Sequence, residues 1–175
     1  MTGAATARDH LRHEVLVAGI SNAFFNGLIA WLLLRNGPAL RWGGEHSFVV
    51  DVLATGLLLP FIVALIVIPL QRSKLNKGKL QAIDLGADSL MQSIANRLPA
   101  STFKSAVLFG LFGMCAIGTL TLAGFYLAGV QAVHPVSYAI FKGIWAGIMA
   151  GLLVVPMVMV ALRTAPAAAP VPAAD

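Results

Sequence analysis

Asp51 and Lys142 are the charged residues that lie within long apolar stretches of this sequence, so they are the first candidates for chemistry. Burying an ionisable group among apolar helices is costly, and such groups commonly mark functional sites. Each lies within about two helical turns of one end of its stretch. Either the two side chains pair between neighbouring helices, or each reaches water separately. A proton or ion path would need acidic or histidine residues deeper in the stretches, so active transport is disfavoured.

The remaining candidate ligands lie outside the apolar stretches. Glu45, His46, Asp51 and His134 could offer oxygen and imidazole ligands to zinc or copper. Their spacing does not require a metal, and the sequence predicts neither a metal site nor a cofactor. The chain also lacks a Walker phosphate loop, a Gly-x-Ser-x-Gly elbow, a His-Glu-x-x-His motif and paired cysteines. We therefore expect no enzyme activity.

Small residues four positions apart form two ridges that favour close contact between helices. One lies in the last apolar stretch and the other in the first. They consist of Gly143, Gly147 and Gly151, and of Gly19, Ala23 and Gly27. Small residues let two backbones approach closely, which matters in lipid because burying apolar surface gives no hydrophobic gain there. The ridges could serve packing inside one chain, contact with another chain or, least expected, the lining of a pore.

Asn22 and Asn26 lie beside the first of these ridges, also four residues apart. An amide exposed to lipid is costly, so both side chains are expected to find partners across a helix interface. Such bonds would set the register of the helices. A substrate-binding pair is the alternative.

Composition and hydropathy indicate the elements that must position these residues. Of the 175 residues, 58% are hydrophobic and 11% are charged, whereas a soluble domain has about 25% charged residues. The net charge of +5 could suggest nucleic acid in a soluble chain, but too few charges are present to coat a globule, and no nucleic-acid partner is predicted. Four stretches, about 15–34, 48–70, 105–127 and 137–162, reach the roughly 20 apolar residues that span a bilayer. The sequence predicts an all-α polytopic membrane protein with four transmembrane helices in an up-and-down bundle.

Basic residues divide unequally between the two sides of this predicted bundle. Nine lie on one side and three on the other. The larger group is Arg8, Arg12, Arg72, Lys74, Lys77, Lys79, Arg97, Lys104 and Arg163, and the smaller is Arg35, Arg41 and Lys142. Lys and Arg accumulate in cytoplasmic loops. We therefore expect both termini in the cytoplasm, with residues 1–14 as a cytoplasmic arm and 15–163 as the transmembrane domain.

The loop between the second and third stretches is too long for a plain connector. Apolar residues recur at helical spacing between about 82 and 98, with Leu90 on the apolar side and Gln92 on the polar side. This pattern predicts a cytoplasmic amphipathic helix at the membrane surface, and a docking surface for a partner protein is the alternative. Residues 164–175 are mostly Ala and Pro and are predicted to be a disordered tail.

A weak internal repeat relates the two halves of the chain. A shift of 87 residues superimposes the second stretch on the fourth, with Gly56 over Gly143 and Pro69 over Pro156. Both stretches run in the same direction in the predicted topology. A tandem repeat of two helical hairpins is therefore geometrically allowed.

Three segments of the first predicted hairpin carry a resemblance to a known group. They are the run from Asn26 to Leu34 (NGLIAWLLL), the run LLPFI from Leu58 and the run VIPLQR that ends at Arg72. In these the chain resembles small four-helix inner-membrane proteins of bacteria, of uncharacterised type. The resemblance implies a bacterial inner membrane, and it implies no chemistry and no functional residues.

Taken together, these patterns favour a non-enzymatic integral inner-membrane protein that acts through helix packing, as an accessory subunit or an oligomer. Its expected partners are the lipid bilayer and either a second copy or another membrane protein. The alternative is a small transporter or channel formed by oligomerisation. A transporter should bury polar groups around a common cavity. A packing subunit should have a dry interior and an exposed face of small residues.

Overall fold

The computed structural model describes residues 2–83 and 90–163, and this part of the chain is mainly helical. The helices are α1 (Thr2–Leu34), α2 (Phe48–Asn76), α3 (Leu90–Arg97), α4 (Thr102–Phe112), α5 (Thr119–Leu127) and α6 (Pro135–Leu162). A π-helical turn, Gly113–Gly118, joins α4 to α5, and the three together form one continuous third span. The four spans Ala7–Leu34, Phe48–Asn76, Thr102–Leu127 and Pro135–Leu162 are long and apolar enough to cross a membrane. The prediction of four membrane-length helices is confirmed.

Helix α6 occupies the centre of the bundle. It packs against α1 on one side and α2 on another, and α2 in turn packs against the third span. Accordingly, 67% of the most apolar part of α6 is buried within the protein, compared with 11% for α1. Toward its C-terminus, the buried side chains of α6 are mostly methionine and valine. The unbranched methionine side chain adapts well to irregular gaps between helices. The polar candidates described below are therefore positioned chiefly by α6.

The two ends of the bundle differ in structure. At one end a short antiparallel pair joins β1 (Leu40–Arg41) to β2 (Ala132–Val133). The pair connects the loop before α2 to the loop before α6, so both loops lie at the same end, which we term the hairpin end. The opposite end contains the C-terminal ends of α2 and α6 and most of the basic residues, and we term it the basic end.

The helices extend beyond the apolar stretches that the sequence defines. Helix α1 begins at Thr2, so the predicted arm over 1–14 is largely a continuation of that helix. Helix α2 continues six residues past the predicted limit at 70 and ends at Asn76. It stops there because Gly78 follows with a φ of +68°, a left-handed conformation that glycine adopts readily. Polar residues outside the lipid can remain helical, and hydropathy does not detect them.

The amphipathic segment differs from its prediction at the start. The described helix of this segment is α3, which begins at Leu90. Ala82 and Ile83 are not helical, and residues 84–89 lie outside the described residues. Ile83 instead donates its backbone N–H to the carbonyl of Leu162 at 2.9 Å. The segment is therefore attached to the end of α6 where a helical turn was expected.

Within α3, the residues that the pattern assigns to its polar and apolar sides differ in exposure. Gln92 is 5% exposed and lies against the protein, whereas Leu90 is 71% exposed. Gln92 donates a hydrogen bond to Asn96 at 3.2 Å. The Arg163 guanidinium donates to two carbonyls at the C-terminal end of α3, those of Ala95 and Leu98. Gln92 and Ala95 thus pack toward the basic end of α6, whereas Leu90 and Asn96 are both exposed. The position of this segment at the membrane surface stays a prediction. The tail over 164–175 lies outside the described residues.

Candidate functional site

Asp51 and Lys142 lie together at the hairpin end of the bundle. The Lys142 Nζ is 2.6 Å from Asp51 Oδ1 and 2.7 Å from Oδ2. Tyr138 donates its hydroxyl to Asp51 Oδ2 at 2.6 Å. One carboxylate on α2 therefore accepts hydrogen bonds from a cation and a phenol on α6.

Local structure fixes all three side chains. Ser47 caps α2 with its hydroxyl, and Asp51 lies in the first turn of the helix, four residues later. Tyr138 and Lys142 are four residues apart on α6, so they project from the same face. Pro135 at the first position of α6 and the His134 ring, which accepts from the N–H of Val136, define where that helix begins. The first residues of α2 and α6 therefore determine where the three side chains lie along the bundle.

The exposure of the trio decides what it can do. Tyr138 is fully buried, the Lys142 side chain is 14% exposed and the Asp51 side chain is 36% exposed. A lone charge in such a place is costly, and pairing with hydrogen bonds offsets part of that cost. Asp51 is the most exposed side chain of the three. The arrangement is suited to joining α2 to α6 near the membrane surface.

Aromatic side chains surround the trio and bind the hairpin end together. Phe48 is fully buried, and its ring lies 4.9 Å from that of Trp42 and 5.4 Å from that of Phe125. Phe125 in turn lies 4.9 Å from Phe141, and Trp42 donates its indole N–H to the carbonyl of Val130 at 2.6 Å. Both loops of the hairpin end are thus anchored beside the ion pair.

The two small-residue ridges lie against each other between α1 and α6. A Cβ on Gly143 would lie 2.8 Å from the Ala23 carbonyl oxygen, and one on Gly147 would lie 2.7 Å from the Ala23 Cβ. A Cβ on Gly27 would lie 3.3 Å from the Gly143 Cα. These glycines therefore allow a close backbone approach inside one chain.

Packing is looser at the Gly151 end of the ridge on α6, and the two asparagines beside the ridge on α1 bond within their own helix. A Cβ on Gly151 would lie 3.6 Å from Val15 and 3.9 Å from the Gly19 Cα, which are ordinary contact distances. Asn22 donates to the carbonyl of Ala18 at 2.8 Å, and Asn26 donates to the carbonyl of Asn22 at 3.0 Å. The expectation of partners across the interface is wrong for these amides. A carbonyl four residues earlier in the same helix satisfies each amide without a second helix.

A second close contact, between α2 and the third span, was not identified from the sequence. A Cβ on Gly110 would lie 2.8 Å from the Leu57 carbonyl oxygen, and one on Gly56 would lie 2.9 Å from the Gly113 carbonyl oxygen. A Cβ on Gly113 would collide with the Gly56 carbonyl and with Pro60. The π-helical turn begins at Gly113, directly at this contact. In the sequence, the cluster of glycines between positions 110 and 118 could have indicated this contact.

The remaining candidate ligands are not brought together. Within residues 2–83 and 90–163, no three histidine, cysteine, aspartate or glutamate side chains lie close enough to hold a metal ion. His134 caps α6, and Asp51 is held by Lys142 and Tyr138. Glu45 and His46 line a separate surface pocket beside Arg41.

Tyr138 is the residue of the site that sequence reasoning missed, although it lies four residues before Lys142 and 87 residues after Asp51. The spacing of four residues from Lys142 places Tyr138 on the same face of α6, but it does not identify Asp51 as its partner. Comparison with known proteins adds no further assignment, because no family model, no curated protein and no solved structure matches this chain.

Proposed function

We propose that this chain is a non-enzymatic integral membrane protein that acts through helix packing, as an oligomer or as an accessory subunit of a membrane complex. One observation carries the proposal. Away from the basic end, the hydrogen-bonded polar side chains in the described part of the spans bond to one another or to their own helix, and these do not line a common cavity. The trio of Asp51, Tyr138 and Lys142 and the two asparagines show this arrangement.

The bond between Trp145 and Thr121 fits the same pattern. The Trp145 indole donates to the Thr121 hydroxyl at 2.9 Å and joins α6 to α5. Each such bond satisfies a polar group while it links two helices, which is the usual role of polar groups between helices in lipid. In a transporter these groups would instead face a shared aqueous path.

The third span provides the surface on which a second copy would pack. The ridges on α1 and α6 are occupied inside the chain, so they are closed to a partner. On the third span, Cys115, Thr119 and Ala123 are exposed and four residues apart, on the side away from the glycines that contact α2. This is an exposed small-residue face of the kind that a packing subunit needs.

Cys115 is the only cysteine of the chain and makes the proposal testable without a new label. Native membranes are treated with a membrane-permeable oxidant, and the chain is then extracted in mild detergent for sizing and identification of copurified proteins. We expect a Cys115-linked dimer, or a stoichiometric partner protein. The matched control is Phe24→Cys combined with Cys115→Ser, which moves the thiol to the exposed outer face of α1.

Two results would overturn the proposal. One is a lone monomer that crosslinks no better than the Phe24→Cys control. The other is solute or ion flux through vesicles that contain the purified chain, which would establish the transporter alternative.

The cellular setting belongs to the same proposal. We place the chain in a bacterial inner membrane with both termini in the cytoplasm. The unequal division of basic residues supports this orientation. The pairing of β1 with β2 supports the up-and-down order on which this count rests, since it holds the first and third loops at one end.

A further inference from the structure

A groove opens between α1 and α2 at the basic end. Helices α1 and α2 both pack on α6 rather than on each other, which leaves a cavity of about 390 Å³ beside the last turns of α2. Two polar contacts lie at the groove. His10 Nε2 is 3.1 Å from Gln71 Oε1, and Lys74 Nζ is 3.3 Å from Glu14 Oε1. Both contacts join α1 to α2 at this end.

The charge on the walls of this groove favours an anion. Three lysines line it, Lys74, Lys77 and Lys79, together with His10 and His13. Glu14 is the one carboxylate among the lining residues, and Lys74 pairs with it. Lys77 and Lys79 are exposed, and neither forms an ion pair with a carboxylate in the described part of the chain. Two ammonium groups are thus available to a ligand.

An apolar track leads from the membrane into the groove. Leu58, Ile62, Ile66 and Leu70 repeat every four residues on α2 and are 49% to 59% exposed. Leu70 also lines the groove, so the track ends directly beneath the lysines. Its length of about 18 Å, at 1.5 Å per residue, is close to the roughly 15 Å of one leaflet of the hydrocarbon core. The site therefore combines an apolar path of acyl-chain length with a cationic head.

We propose that this groove binds an anionic phospholipid, with the headgroup phosphate between Lys77 and Lys79 and an acyl chain along the track. The proposal is independent of whether the chain forms oligomers. Free phosphate shares the chemistry of the headgroup, but it would make no use of the apolar track. Basic pockets between transmembrane helices are suited to anionic headgroups for the same electrostatic reason.

The test is thermal unfolding of the purified full-length chain in detergent, titrated with dioleoyl phosphatidylglycerol or dioleoyl phosphatidylcholine. Phosphatidylglycerol should raise Tm more than phosphatidylcholine at equal mole fraction, because a ligand that binds only the folded state stabilises it. The variant Lys77→Gln/Lys79→Gln should need about tenfold more phosphatidylglycerol for the same shift. The control Arg97→Gln/Lys104→Gln removes two exposed charges from the same end, outside the groove, and should change this requirement less than threefold.

Each other outcome contradicts the proposal. Equal shifts with the two lipids would mean that no anionic headgroup is recognised, and equal losses in both variants would mean that only overall charge matters. If inorganic phosphate alone reproduced the shift, the ligand would be free phosphate. Both variants should unfold at the wild-type Tm without added lipid, since the substituted side chains are exposed, and this checks that folding is intact.

Discussion

Replacing Gly147 by alanine should weaken the contact between α1 and α6. The added Cβ would lie 2.7 Å from the Ala23 Cβ and 2.8 Å from the Gly19 carbonyl oxygen. Two carbons pack best at about 3.5–4.0 Å, so α1 must move away by about 1 Å. Overpacking of this kind costs about 1–3 kcal/mol, while alanine in a helix gains about 1 kcal/mol over glycine. We expect a net loss of about 1 kcal/mol in the free energy of unfolding.

Two matched substitutions isolate the steric cause. Gly151→Ala adds the same methyl group on the same ridge, but its nearest contact would be at an ordinary 3.6 Å. Gly124→Ala adds it where nothing lies within 4 Å. Neither variant should lose stability. Ala23→Gly alone should cost about 1 kcal/mol in helix propensity, and it should cost less in the Gly147→Ala background than in the wild type, because there it also removes one of the two colliding groups.

Reversible unfolding in mixed detergent micelles, followed by circular dichroism, measures these differences. A Gly147→Ala variant as stable as Gly151→Ala would refute the close approach of α1 to α6. The larger change Gly147→Leu should separate the two helices altogether, whereas Leu152→Ala should have little effect, because Leu152 is 66% exposed.

Three further predictions concern the ion pair, the orientation and α3. A double-mutant cycle with Asp51→Asn and Lys142→Met should give a coupling energy of about 1 kcal/mol in the same unfolding assay, small because Asp51 is partly exposed; additive effects would mean that the two charges act independently. Alkaline phosphatase fused after Arg163 should be inactive and a fluorescent protein fused there bright, and the reverse pattern would invert the topology. A spin label at Leu90 should be relaxed by oxygen and one at Asn96 by an aqueous nickel complex, if the exposed apolar side of α3 rests on lipid; equal accessibility would contradict that.

The four spans could be predicted from the sequence because lipid leaves the backbone few alternatives. A chain in hydrocarbon must satisfy its peptide groups internally, so any apolar run of sufficient length becomes a helix. The proximity of Asp51 and Lys142 could be anticipated for a related reason, since both lie near corresponding ends of helices that run in the same direction. Helix ends outside the lipid follow local capping and turn residues, such as Gly78, and these give no hydropathy signal.

The choice between competing partners could not be predicted. The spacing of Asn22 and Asn26 is equally compatible with bonds across an interface and with bonds to the preceding turn, and only the structure distinguishes them. Tyr138 near a helix end is equally typical of an interfacial aromatic belt, so its bond to Asp51 had no distinct signature. Hydropathy did not indicate the central position of α6 either, because α2 and not α6 has the most apolar span.

We propose that the 87-residue correspondence is an internal repeat, and a repeat would give a physical reason for the composition of the site. The 87-residue shift places Asp51 over Tyr138, and these two positions meet where α2 packs on α6. Gly56 and Gly143 also correspond, and each contacts the first helix of the other hairpin. Corresponding positions meet in this way across a two-fold axis. Two identical halves would therefore bring one aspartate against another, and like charges so close would repel. A tyrosine in place of the second aspartate, with Lys142 one turn further along α6, converts that repulsion into one hydrogen bond and one ion pair.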